Sequence, residues 1–258
     1  MAGDAAPEGL ACWADLWTSD TEAARRFYGE LLGWEAADPD PSYGGYFLFE
    51  VDGVAVAGAM GAIGDMEAAN AWKPYLATDD VEAIAAKVTE NGGAIFAPPM
   101  AVGDRGSQFV FADPTGAHLG AWETDQFPGF TRFGAHGLPA WFELHTSDYR
   151  AALSFYSGVF GWEPSPMSDT ADFRYSTVSD PRTGAPALGV LEASGRLADG
   201  FGSHWLLYFH VDDVDASAAQ VAGLGGRLLE PAKDTPFGRM SLVEDATGAR
   251  LRLTSPLG

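Results

Sequence analysis

Cysteine is almost absent: Cys12 is the only one in 258 residues. That count excludes an intrachain disulfide and a thiolate metal cluster. Cationic side chains are scarce, 15 Lys and Arg against 36 Asp and Glu, for a formal net charge of −21. Nucleic acid and anionic membrane surfaces are therefore poor partners, because phosphate contacts need Lys and Arg. No apolar run reaches the roughly 18 residues of a membrane-spanning helix. The opening stretch MAGDAAPEGLACWADL has neither a basic region nor an apolar run, so a cytoplasmic protein is expected. A G-x-S-x-G nucleophile elbow, a P-loop and a Rossmann glycine fingerprint after a strand are also missing. What remains is 47% apolar and 20% charged, the composition of a folded globular chain. The acidic excess favours solubility and would draw cationic ligands.

What is present is a stretch written twice. Leu16 to Glu35 reads LWTSDTEAARRFYGELLGWE, and Leu144 to Glu163 reads LHTSDYRAALSFYSGVFGWE. Leu16, Thr18, Ser19, Asp20, Ala23, Ala24, Phe27, Tyr28, Gly33, Trp34 and Glu35 recur unchanged, whereas Trp17 becomes His145. A repeat of this length divides the chain before any other reading. We expect a first domain over 1–123, a linker over 124–138 and a second domain over 139–258. The linker TDQFPGFTRFGAHGL is rich in glycine and proline.

Each domain reads as two βαβββ units. In the first, a strand at Cys12–Thr18 leads to a helix capped by Ser19 or Asp20, with Ser19 and Glu22 spaced as a capping box. Ala23, Ala24, Phe27 and Leu31 form its apolar face, and Gly33 ends it. A faint strand near Glu35–Ala37 precedes strands at Tyr46–Val51 and Val54–Met60, joined by the hairpin signal Asp52-Gly53. The second unit has a strand at Trp72–Thr78, a helix capped by Asp79 and Asp80, and a stop at Gly92-Gly93. Strands at Ala94–Phe96, Gln108–Phe111 and Ala117–Glu123 follow, the last two joined by the turn Asp113-Pro114-Thr115-Gly116. The third unit has a strand at Ala140–Thr146, a helix at Tyr149–Phe160, and strands at Arg174–Val178 and Ala187–Leu191. The fourth starts at Trp205–Val211, caps its helix with Asp212 and Asp213, and ends Asp245-Ala246-Thr247-Gly248 before Ala249–Thr254.

FYGELLGW and FYSGVFGW, the Asp-Asp-Val helix starts, the paired glycines Gly92-Gly93 and Gly225-Gly226, and DPTG with its variant DATG occur in the same order in both halves. Together they resemble the vicinal oxygen chelate superfamily of glyoxalases, bleomycin-resistance proteins and extradiol dioxygenases, and the likeness spans roughly residues 11 to 255. The resemblance implies an α+β fold of four tandem βαβββ units forming two cup-shaped mixed-sheet domains with helices outside. Strand alternation agrees. The evenly apolar faces (Ala14 and Leu16; Phe142 and Leu144; Leu207, Phe209 and Val211) should meet the helices. The mixed faces then point into the cups.

Metal-dependent members of that superfamily hold their ion early in the first strands and four residues after the turn glycine. Those positions are Trp13, Lys73, Gly120, Trp141, Leu206 and Arg252 here. None is a plausible ligand, since each lacks a donor or carries positive charge. The expectation is no metal and no cofactor, with a displaced set of Glu143, His145 and His210 as the alternative.

The first cup offers Trp13, Asp15, Trp17, Lys73, Tyr75, His118 and Trp122. Flat indoles around one carboxylate suit a planar aromatic ligand, with a cationic amine in one version of the reading. The same aromatics could instead fill the cup as core. The second cup offers Trp141, Glu143, His145, Tyr208, His210 and Arg252. Glu143, His145 and His210 are the candidate catalytic acid–base groups, and Arg252 would hold an oxyanion. The rival there is an ion-pair cluster that only anchors the fold.

The favoured reading is a metal-free binding protein for a planar aromatic, cationic or neutral natural product, serving drug sequestration, self-resistance or biosynthesis. A metal-independent isomerase, lyase or hydroxylase-type enzyme is the second reading, and a metal-dependent dioxygenase or lyase the third. Expected partners are a hydrophobic aromatic small molecule and a biosynthetic enzyme, with the chain a monomer or homodimer.

Overall fold

Each of the four helices in the described residues begins on an aspartate. The helices are α1 (Thr21–Leu32), α2 (Val81–Glu90), α3 (Tyr149–Phe160) and α4 (Val214–Gln220). Their N-caps Asp20, Asp80, Asp148 and Asp213 are extended, and each carboxylate accepts from the amide three residues on. Such a cap contributes about 1 kcal/mol by satisfying an orphan N–H. Asp20 therefore takes the role that the sequence offered equally to Ser19, whose amide instead donates to Asn70. Likewise Asp80 and Asp213 act, not Asp79 and Asp212. Gly33 and Gly161 close α1 and α3 at φ 71° and 68°, a conformation that costs glycine nothing.

The structure is a computed structural model and describes residues 5–62, 64, 68–170, 172–195, 197 and 202–256. Sixteen strands are found among them. Those of the first half are β1 (Ala11–Trp17), β2 (Glu35–Ala36), β3 (Phe47–Val51), β4 (Val54–Met60), β5 (Ala71–Thr78), β6 (Ala94–Ala101), β7 (Gly106–Ala112) and β8 (His118–Thr124). Those of the second are β9 (Pro139–Thr146), β10 (Ser165–Asp169), β11 (Arg174–Ser179), β12 (Pro186–Glu192), β13 (His204–His210), β14 (Arg227–Thr235), β15 (Gly238–Glu244) and β16 (Arg250–Ser255). They form two eight-stranded mixed sheets, ordered β2-β3-β4-β1-β5-β8-β7-β6 and β10-β11-β12-β9-β13-β16-β15-β14. The fold class is the α+β arrangement expected, with one strand order used twice. No helix among the described residues is long and apolar enough to cross a membrane.

Contacts group the chain into two compact units. One consists of Met1–Trp13, Pro74–Gly129 and Trp141–Trp205, and the other of Ala14–Lys73, Phe130–Ala140 and Leu206–Gly258. In the first, Tyr156 of α3 is fully buried and stacks on Trp162 with ring centroids 4.4 Å apart. Its hydroxyl donates to Asp113 at 3.1 Å and accepts from the Trp205 indole at 3.3 Å. In the second, Tyr28 of α1 repeats the arrangement. It stacks on Trp34 at 5.2 Å, donates to Asp245 at 2.9 Å and accepts from the Trp72 indole at 3.0 Å. Burial, then the neighbouring aspartate charge, pushes both phenols well above their usual range, so each stays a neutral donor.

The tyrosine of the repeated FY motif is thus tied to the aspartate of a DPTG or DATG turn, and the motif's tryptophan seals the helix end. Trp162 Nε1 donates to the Gly9 carbonyl at 2.8 Å, and Trp34 Nε1 to the Gly137 carbonyl at 2.6 Å. Phe209 of β13 packs at 5.2 Å from Trp34 and 5.3 Å from Trp72. This is the helix-side face that alternation assigned to it, which leaves Tyr208 and His210 on the opposite face of the strand.

Candidate functional site

One polar cluster on a mixed sheet face belongs to the first compact unit. Successive strand residues alternate sides, so Trp141, Glu143 and His145 share one face of β9. Beside it β12 runs parallel, with Gly189 opposite Glu143 and Leu191 opposite His145. A Cβ at Gly189 would collide with the hydroxyl of Tyr175 and crowd the Trp141 indole. Glycine is needed there because the side chain of Tyr175, reaching across from β11, occupies that space. Its hydroxyl donates to Glu143 Oε2 at 2.7 Å and accepts from Trp141 Nε1 at 3.2 Å.

The other oxygen, Glu143 Oε1, lies 2.8 Å from His145 Nε2. Glu143 is 7% exposed, and a carboxylate so placed is stable only with donors on its oxygens. Burial, followed by the Glu143 charge, drives Tyr175 above its usual range, which keeps it a donor. In the tautomer that carries its proton on Nε2, His145 donates to Glu143 and has its lone pair on Nδ1. That is the tautomer of a general base held by a carboxylate. His204 stands beside it, ring centroids 5.2 Å apart.

The second unit contains the same frame with different chemistry. Asp15 of β1 faces Gly58 of β4 in parallel register, and Tyr46 donates to Asp15 Oδ1 at 2.9 Å. A Cβ at Gly58 would collide with both groups. Where the first unit has His145 this one has Trp17, whose Nε1 donates to the Gly61 carbonyl at 3.0 Å. Burial lowers the Lys73 pKa below its usual value, and the Asp15 charge partly offsets the shift. Elsewhere in this unit Tyr208 of β13 faces Arg252 of β16, and the guanidinium carbon lies 5.6 Å from the Tyr208 ring centroid.

The remaining predicted residues are placed as follows. Trp13 meets Phe127 edge-on at 4.8 Å, and Trp122 Nε1 donates to the Phe127 carbonyl at 2.9 Å. The Tyr75 ring fills the space left by Gly120. His118 stacks on the exposed Phe96 at 4.6 Å. Trp13, Tyr75 and Trp122 are 4%, 3% and 7% exposed, and Phe127, from the stretch read as a linker, is a packing partner of both indoles. Glu143 and His145 are brought into contact, whereas His210 belongs to the other compact unit. Tyr46 and Tyr175 were missed in the sequence. The signal available was a tyrosine at the third strand and a glycine in the fourth, in units one and three alike.

A divalent metal does not fit the residues present. Among the described residues no group of three or more His, Cys, Asp or Glu is placed to hold one. Of the positions that the resemblance assigns to a metal, Gly120 is filled by Tyr75, Leu206 is 2% exposed and Arg252 is cationic.

Comparison with known proteins agrees with the fold. CFP32 of Mycobacterium tuberculosis, provisionally named a glyoxylase, is 36% identical over 96% of this chain and 95% of its own. The anthracycline biosynthesis protein DnrV of Streptomyces peucetius is 33% identical over 93% of this chain and 91% of its own. Among solved structures, the Mn(II)-bound glyoxalase from Novosphingobium aromaticivorans superposes with a TM-score of 0.67 at 18% identity, covering 98% of this chain and 83% of that one. The 2,2',3-trihydroxybiphenyl 1,2-dioxygenase of Sphingomonas wittichii does so at 0.63 and 16%, covering 97% and 90%. The family model of the Glyoxalase/Bleomycin resistance protein/Dioxygenase superfamily matches residues 12–119 and 139–253, and the chain belongs to that superfamily.

Proposed function

We propose that this chain is a metal-independent member of its superfamily that binds a planar aromatic small molecule, in a biosynthetic or sequestering role. The observation that carries the reading is the donor set. The six positions that the resemblance assigns to a metal hold Trp13, Lys73, Gly120, Trp141, Leu206 and Arg252, and no three-donor cluster replaces them among the described residues. The relationship to DnrV, named for anthracycline biosynthesis, supports a planar aromatic ligand. Trp17 and Trp141 are half-buried and offer indole surface for offset stacking.

Titration of the purified chain with an anthraquinone should quench tryptophan emission saturably. Trp141→Ala and Trp17→Ala should separate the two faces, with weakening of about tenfold at the one that binds, a stacked contact being worth about 1 kcal/mol or more. Absence of saturable quenching, or a stoichiometric metal in protein purified without chelator, would overturn the proposal.

A second reading rests on the 2.8 Å contact between His145 and Glu143. It is a metal-independent isomerase or lyase in which His145 Nδ1 takes a proton from carbon beside a carbonyl and Glu143 stabilises the imidazolium. If turnover of an enolisable aromatic ketone is found, His145→Ala should lower kcat by about 10²–10⁴. Glu143→Gln should lower it less and shift the pH profile. Turnover unaffected by either change removes the enzyme reading from this cluster.

A further inference from the structure

We infer that the sheet face carrying Tyr208, His210 and Arg252 is an oxyanion site, built to take a carboxylate or phenolate oxygen of the ligand. The anionic group is argued from these residues alone, whereas the aromatic body of the ligand rests on the binding reading above.

In the β13–β16 ladder Tyr208 lies opposite Arg252, and His210 opposite Thr254. Opposed residues of a parallel pair share a side, and alternation puts His210 on the side of Tyr208. The Arg252 side chain is 12% exposed, and its charge cannot be removed by deprotonation. Its one ion pair among the described residues is loose: Nη1 is 3.5 Å from Glu230 Oε2, and the same oxygen accepts from Lys233 Nζ at 2.8 Å. Arg252 Nε is buried without a hydrogen-bond partner among the described residues, and so is His210 Nδ1.

An unmet buried donor costs about 1–3 kcal/mol, and more when charged. Arg252 Nε is such a donor, and an acceptor on this face satisfies it. The guanidinium fork fits a carboxylate oxygen pair, and in the tautomer that carries its proton on Nδ1 His210 adds a second donor. A chain of net charge −21 repels anions at long range. Affinity for one must therefore come from a local cation of this kind.

The test is calorimetric titration of the full chain with naphthoate, with its neutral isostere naphthamide, and with acetate. Naphthoate should bind at least about tenfold more tightly than naphthamide, since charge-assisted hydrogen bonds are roughly twice as strong as neutral ones. Arg252→Gln should abolish that preference, Arg252→Lys should retain part of it, and His210→Phe should reduce it about threefold. If Arg252→Gln does not fold, the wild-type preference and the His210→Phe variant decide. Equal binding of naphthoate and naphthamide sinks the oxyanion site and leaves the planar-ligand reading standing. Acetate binding that depends on Arg252, with no gain from the naphthalene ring, keeps the site and sinks the aromatic reading. Naphthoate that does not bind at millimolar concentration, or a preference that survives Arg252→Gln, overturns the inference.

Discussion

The carboxylates of β9 and β1 stand in one frame but keep different company. Glu143 and Asp15 each face a strand glycine in parallel register, and each accepts from a tyrosine, Tyr175 of β11 or Tyr46 just before β3. Glu143 also holds His145 at 2.8 Å, whereas the position equivalent to His145 carries Trp17, whose indole bonds a backbone carbonyl. Behind these faces the buried networks barely differ: Tyr156, Asp113 and Trp205 in one unit match Tyr28, Asp245 and Trp72 in the other. The duplication has held the groups that close the core and let the group beside the carboxylate change. One unit therefore sets an imidazole against its carboxylate, and the other sets an indole at the equivalent position.

The core half of this comparison predicts the largest effect. Asp113 accepts from the Thr115 and Ala117 amides, the Thr115 hydroxyl and Tyr156. Asp245 accepts from the Thr247, Gly248 and Ala249 amides, the Thr247 hydroxyl and Tyr28. Asp113→Ala and Asp245→Ala should each cost about 3–5 kcal/mol, because several buried donors lose their acceptor at once. Urea titration of the two variants measures this. A cost confined to one of them would show that the two networks are alike in geometry and unlike in weight.

These networks also show what the sequence could and could not convey. The capping aspartates, the FY and GW pairs and the DPTG and DATG turns are local signals, and the helices and most strands follow from them. Strands β10, β14 and β15 were not anticipated. β10 and β14 carry Pro166 and Pro231 and lie at sheet edges, largely exposed, so neither shows the alternation of a half-buried strand. The contact between Glu143 and His145 was legible because two residues on one strand face need no knowledge of register. The tyrosine on each carboxylate was not, since Tyr46 and Tyr175 lie two residues before Leu48 and Thr177, the residues that face Gly58 and Gly189, and only that register brings them there. Trp13 and Trp122 read as a platform for a ligand because Phe127, which packs on them, lay in a stretch rich in glycine and proline.

The shared frame predicts a middle-sized effect. Gly58→Ala and Gly189→Ala each push a methyl group into a tyrosine hydroxyl that is itself hydrogen-bonded. Each should cost about 1–3 kcal/mol, the range for overpacking a tight interior. Relief distinguishes this from a backbone effect: Gly189→Ala combined with Tyr175→Phe, and Gly58→Ala combined with Tyr46→Phe, should each recover part of the loss. A double variant no better than its glycine parent would mean that the strand backbone, not the tyrosine, requires glycine there.

The smallest effect separates the two tyrosines themselves. Tyr175→Phe and Tyr46→Phe each remove one hydrogen bond to a carboxylate, about 1–2 kcal/mol at neutral pH. Tyr175 adds a dependence on pH. Its pKa is raised in the folded chain by burial and by the Glu143 charge, so in alkali the unfolded chain loses this proton before the folded one does. A raised folded value contributes stability that is complete below the unfolded phenol pKa of about 10 and is lost as pH rises above it. Tyr28 and Tyr156 act in the same direction, so the whole chain should lose stability above about pH 10. Tyr175→Phe should flatten that loss while lowering the neutral plateau. An alkaline limb of unchanged slope in Tyr175→Phe would show that the Tyr175 phenol titrates alike in the folded and unfolded chain. The buried contact with Glu143 would then not be what holds its proton.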